Sequence, residues 1–108
     1  MEFQEMVKRA GEVRAMYAAM EKRLYTRSWN SEELALGFVG DVGDLAKLVQ
    51  AVNGVRNIEG AREKLAHELS DCLWSVIAIS KACDIDLETA FFQTMDELEA
   101  HMRQKGAD

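Results

Sequence analysis

The chain has 108 residues, of which 48% are hydrophobic and none is proline, and its 13 Lys and Arg against 19 Asp and Glu leave a formal net charge of −6 at pH 7. That length predicts one domain, residues 1–108, with apolar content for a single packed core and none of the low-hydrophobicity signature of a disordered chain. The acidic balance argues against a nucleic-acid polymer as partner, because phosphate backbones are held by clustered Lys and Arg.

The first residues, Met1-Glu2-Phe3-Gln4-Glu5, show neither a basic start nor an apolar run behind it, so no secretory signal is expected. Apolar clusters such as Val76-Ile77-Ala78-Ile79 fall far short of the roughly 18 residues of a transmembrane helix, so a cytoplasmic protein without membrane contact is expected. The punctuation predicts an all-α fold of four helices. The first runs from Glu2 to Tyr25. Ser31 is the predicted N-cap of the second, with Glu32 and Glu33 in its first turn and Asn53-Gly54 as its stop. The third runs from about Ile58 to Cys83, and the fourth, capped by Asp86, from Leu87 to about Arg103.

In helix two, Leu34, Phe38, Val42, Leu45, Val49 and Val52 recur at steps of three and four and predict one buried stripe. Helix three has a matching stripe of Leu65, Leu69, Cys72, Val76 and Cys83, but its second half is also apolar on the reverse side at Trp74, Ile77 and Ala78. A helix apolar all round needs cover on every side, which predicts either a central position or a subunit interface, the second favouring a homo-oligomer. Cys72 and Cys83 are expected as buried thiols, since eleven helical residues separate them by roughly 16 Å, beyond disulfide reach.

Two short acidic motifs carry the candidate chemistry, Asp41-x-x-Asp44 in helix two and Glu68-x-x-Asp71 in helix three. Residues three apart share a helix face, and both pairs flank their apolar stripe on the same side. Helices packed stripe to stripe would bring four carboxylates to one partly buried spot, where mutual repulsion and lost hydration demand a cation. Hard divalent ions with oxygen ligands fit, Mg²⁺ first. The competing reading is a solvated face, with Lys47 three residues from Asp44 and Lys64 four before Glu68 forming ordinary ion pairs. Gly37, Gly40 and Gly43 recur every third residue of helix two at a cost of about 1 kcal/mol each relative to Ala, for close approach of another helix or for room beside a ligand. Trp29 and Trp74 are candidates to stack on a nucleobase, or are core and interface residues. His67 and His101 form no zinc spacing with a cysteine or with each other.

The run Leu36-Gly37-Phe38-Val39-Gly40-Asp41-Val42-Gly43-Asp44-Leu45-Ala46-Lys47-Leu48, followed by Lys64-Leu65-Ala66-His67-Glu68-Leu69-Ser70-Asp71-Cys72-Leu73-Trp74, resembles the all-α nucleotide pyrophosphohydrolases of the MazG-like superfamily, which includes dCTP-cleaving enzymes and dimeric dUTPases. The likeness spans about Glu33 to Met95, and Asp84-Ile85-Asp86-Leu87 is similar to the family's connection into its last helix. The resemblance implies a four-helix MazG-like bundle with antiparallel helices two and three, in which Asp41, Asp44, Glu68 and Asp71 hold Mg²⁺, or Mn²⁺, against a triphosphate. It implies hydrolysis of an NTP or dNTP to the monophosphate and pyrophosphate, a nucleotide-pool house-cleaning reaction, with Glu68 or Asp44 accepting the proton of the attacking water. Sites of this family are completed by assembly into homodimers or homotetramers.

The departures are specific. Both first-motif positions are Asp where the family usually has Glu, Gly40 stands where some members add another Glu, and Leu98 falls in the region where the last helix often offers a base-contacting Asn. Of the basic residues, Lys64, one turn before Glu68, is best placed to meet phosphate. A Mg²⁺-dependent pyrophosphohydrolase is therefore the first expectation. A catalytically inert oligomerisation or nucleotide-sensing module of the same fold is the second.

Overall fold

The computed structural model describes residues 2–106, and among them the chain forms four α-helices and no strand. These are α1 (Phe3–Tyr25), α2 (Ser31–Val52), α3 (Ala61–Ala82) and α4 (Leu87–Gln104). No helix among the described residues is long and apolar enough to cross a membrane.

The helix ends follow local chemistry, with two corrections. Asn30, not Ser31, caps α2: its side chain accepts from the Glu33 N–H at 3.0 Å, and the Glu33 carboxylate accepts from the Asn30 N–H at 3.2 Å. This reciprocal pair needs an acid at the third helical position, which Asn30 has in Glu33, and such a cap is worth about 1 kcal/mol. Helix α3 starts at Ala61 and not near Ile58, because Gly60 takes a left-handed φ of 67° immediately before it. Asn53-Gly54 ends α2 as expected, and Asp86 caps α4 by accepting from the Thr89 N–H at 3.2 Å.

Helices α2 and α3 make the most extensive contact, and α1 packs on α3. Leu34 and Leu48 of α2, Cys72, Ile77 and Ala78 of α3 and Ala10 of α1 form the core. The apolar reverse side of α3 is thus the most deeply buried part of the molecule. Trp74 ties α1 down there, donating its indole N–H to the Ala10 carbonyl at 3.3 Å with its ring 5.6 Å from that of Tyr17. Three apolar expectations fail. Val42, Val49 and Leu69 stay 43%, 42% and 53% exposed, because nothing among the described residues covers that flank of the α2–α3 pair. Cys72 is buried, but Cys83 is exposed at the end of α3, where the chain turns.

Sequence reading did not single out the lock between α1 and α2. Glu21 is buried, and its carboxylate takes two Arg14 guanidinium contacts, at 3.2 and 3.3 Å, together with the Trp29 N–H at 2.6 Å. Arg14 also donates to the Trp29 carbonyl at 2.9 Å. These bonds satisfy backbone groups of the Thr26–Asn30 connection and fix how α2 leaves α1. The signal was present: Phe3, Val7, Ala10, Arg14, Ala18 and Glu21 recur at helical spacing, so the two charges occupy positions of an otherwise apolar stripe.

No residue of α4 is buried. One chain therefore supplies four helices but does not close a four-helix bundle.

Candidate metal centre

Helix α2 carries Asp41 and Asp44 on one flank, and α3 carries Glu68 where the two helices meet. One oxygen from each of these three carboxylates lies within 4.8 Å of the other two. Oε1 of Glu68 is buried and has no hydrogen-bond partner. Burial, and then the negative charges of Asp41, Asp71 and Asp44, hold the Glu68 pKa above the usual carboxylate range. The convergence is of three groups and not four. Asp71, one turn further along α3, turns to His67, whose Nε2 lies 3.2 Å from its carboxylate. His67 and Asp71 are four apart in α3, the spacing at which helical side chains meet.

The ion-pair reading of these acids is not realised. Among the described residues, neither Lys47 nor Lys64 lies within 4.0 Å of a carboxylate. Among the described residues, no cation of the chain neutralises the triad. Three hard oxygen donors, one of them from the residue with the unsatisfied buried oxygen, form a group that could hold a metal ion.

The triad lies between two clefts. The first, about 480 Å³, opens on Asp44 and Glu68 and is bordered by Lys47, Lys64 and His67. The second, about 420 Å³, opens on Asp41 and Asp71 and is walled by Val13, Tyr17 and Trp74 of α1 and α3. Trp74 is therefore both a structural anchor and the aromatic wall of a cleft. Trp29 borders neither cleft. It sits at the start of α2, where a Cβ added at Gly37 would meet its ring at 4.0 Å.

Cys72 lies beside the triad, and burial with the charges of Asp41, Glu68 and Asp71 pushes its thiol pKa up, the reverse of what a nucleophilic thiolate needs. The glycines of α2 do not serve close helix packing within the chain. A Cβ at Gly40 or Gly43 would meet nothing within 4 Å. Gly40→Ala is accordingly expected to raise metal-free stability by about 0.5–1 kcal/mol, read by urea denaturation, and a loss would show that a neighbouring surface fills that space.

No protein-family model, curated protein or solved structure matches this chain.

Proposed function

We propose that the protein is a Mg²⁺-dependent nucleoside triphosphate pyrophosphohydrolase, converting an NTP or dNTP to the monophosphate and pyrophosphate. The observation that carries this reading is the acidic triad, with its unpartnered Glu68 oxygen, set between one cleft bordered by lysines and another walled by aromatic rings. A nucleoside triphosphate has the matching asymmetry, an anionic chain at one end and a flat base at the other.

In this reading Asp41, Asp44 and Glu68 hold the divalent ion, with Asp71 close enough to add its charge. The chemistry such an ion supplies when bound is neutralisation of phosphate oxygens and acidification of water. Lys64 and Lys47 meet the phosphates from the side away from α1, and Trp74 with Tyr17 offers an apolar surface to the base. Glu68, whose carboxylate borders the lysine cleft, is the first candidate to accept the proton of the attacking water. Asp44 shares its cleft and is the second candidate. The fold in this reading is MazG-like with α2 and α3 antiparallel, supported by Asp44 sharing a cleft with Lys64 while Asp41 shares one with Asp71. The chain acts as a homodimer or homotetramer.

The test is pyrophosphate release from a panel of ordinary and damaged NTPs and dNTPs with Mg²⁺ or Mn²⁺. Release is expected for at least one substrate, is expected to stop in EDTA, and is expected to be lost in Asp44→Asn. Folded protein that is silent across the whole panel sinks the enzyme reading in favour of an inert module.

A further inference from the structure

Helix α3 lays one ridge beneath both clefts of the acidic triad. Lys64, His67, Asp71 and Trp74 follow one another at steps of three, four and three, the spacing that keeps side chains on one face of a helix. Lys64 borders the first cleft, and Asp71 and Trp74 border the second. Among the described residues, His67 alone borders both. At a rise of about 1.5 Å per residue, it stands about 4.5 Å along the helix axis from Lys64 and about 10 Å from Trp74. His67 therefore marks the joint between the clefts, towards the lysine side.

The ring is steadied and still open to a ligand. Its Nε2 lies 3.2 Å from Oδ2 of Asp71, so the carboxylate restricts how the imidazole turns, while 76% of the His67 side chain stays accessible to solvent. An imidazole N–H next to a divalent-ion site is a donor suited to phosphate oxygens that the ion does not take.

Hydrolysis of a nucleoside triphosphate to the monophosphate and pyrophosphate cleaves between the α- and β-phosphates, where the nucleoside half of the substrate meets the pyrophosphate half. With the base against Trp74 and Tyr17 and the outer phosphates towards Lys47 and Lys64, that bond crosses from one cleft to the other at His67. We propose that His67 binds the substrate at this joint, its ring N–H donating to a non-bridging oxygen of the α- or β-phosphate, and that Asp71 orients the ring for the contact. This accounts for Asp71 turning to His67 while Asp41, Asp44 and Glu68 face one another. The inference rests on the functional reading for the identity of the anion. Its test measures binding apart from turnover, so the two can fail separately.

Calorimetric titration of the full chain with inorganic triphosphate, in saturating Mg²⁺, is the experiment. His67→Ala should weaken triphosphate binding by about 10-fold or more, the effect of losing a hydrogen bond to a charged group. Its affinity for Mg²⁺ alone should stay within about twofold of the unaltered protein, since a hard ion takes the carboxylate oxygens. The exposed position and the helix propensity of Ala keep the variant folded, which circular dichroism checks. Equal triphosphate affinity in the two proteins overturns the proposal and leaves the enzyme reading standing. A fall in Mg²⁺ affinity that matches the fall in triphosphate affinity also overturns it, because His67 then acts through the ion. An unaltered chain that binds no triphosphate overturns both. Triphosphate binding that depends on His67, in a protein that releases no pyrophosphate from any nucleotide, upholds the contact while the enzyme reading falls.

Discussion

Glu68→Gln is expected to lower kcat/KM for pyrophosphate release by about 10²–10⁴-fold, the range for loss of a positioned general base, and to raise the melting temperature of the metal-free protein at the same time. The two effects have one origin. Glu68 lies between three other acids, with one oxygen buried and unpartnered, so its charge is useful only when a cation is present. The neutral amide removes that repulsion and removes the ligand and base together. The sign with pH follows. The folded state holds the Glu68 proton to higher pH than the unfolded chain does, so in EDTA stability falls as pH rises from the ordinary carboxylate range through the raised folded pKa. Below the unfolded pKa the carboxyl is protonated in both states, so the stability is fully present there and does not change with pH. Glu68→Gln should flatten this slope, and melting curves in EDTA from about pH 4 to 8 check it. With Mg²⁺ at about 100 times its Kd the unaltered protein should gain about 2.7 kcal/mol, a gain lost in Glu68→Gln. A variant that retains turnover, or that melts earlier than the parent in EDTA, contradicts this account.

Arg14→Met should be the most damaging single change to stability. Glu21 is buried and depends on the Arg14 guanidinium for two of its contacts; only the Trp29 N–H remains without it. Removing one partner of a buried ion pair strands the other charge and costs about 3–5 kcal/mol, of which the partial exposure of Arg14 argues for the lower end. For a domain of this size about 3 kcal/mol lowers the melting temperature by more than about 10 °C. Arg14→Met combined with Glu21→Met should recover most of that loss, because no charge is then stranded. Differential scanning calorimetry of the two variants separates this from a general packing defect, in which the double variant would be the worse. The effect should reach the site indirectly, since Arg14 and Glu21 clamp the backbone of Trp29 immediately before α2.

The acidic motifs were legible because helical periodicity is local: three-residue spacing places Asp41 with Asp44 and Glu68 with Asp71 whatever the rest of the chain does. The short side chains of the first motif still reach the meeting point of the helices, as Asp41 and Asp44 each bring an oxygen within 4.8 Å of Glu68. The partner of Asp71 was not read, although His67 stands four residues before it. Several side chains satisfy that spacing, and rotamers decide among them. Val42, Val49 and Leu69 were assigned to the core from the same periodicity that correctly placed Leu34 and Cys72. Periodicity identifies an apolar stripe without saying how wide the covering neighbour is.

The sequence by itself determined the four helices, their caps within a few residues, the two pairs of acids and the acidic charge balance, all of them properties of residues near one another along the chain. Only the tertiary structure decided that three carboxylates and not four converge, that no lysine neutralises them, that Arg14 and Glu21 hold the entry to α2, and that α4 is left uncovered. Each of these depends on which surfaces of distant segments meet. Burial, charge and unsatisfied hydrogen bonding are properties of that meeting and not of any segment alone.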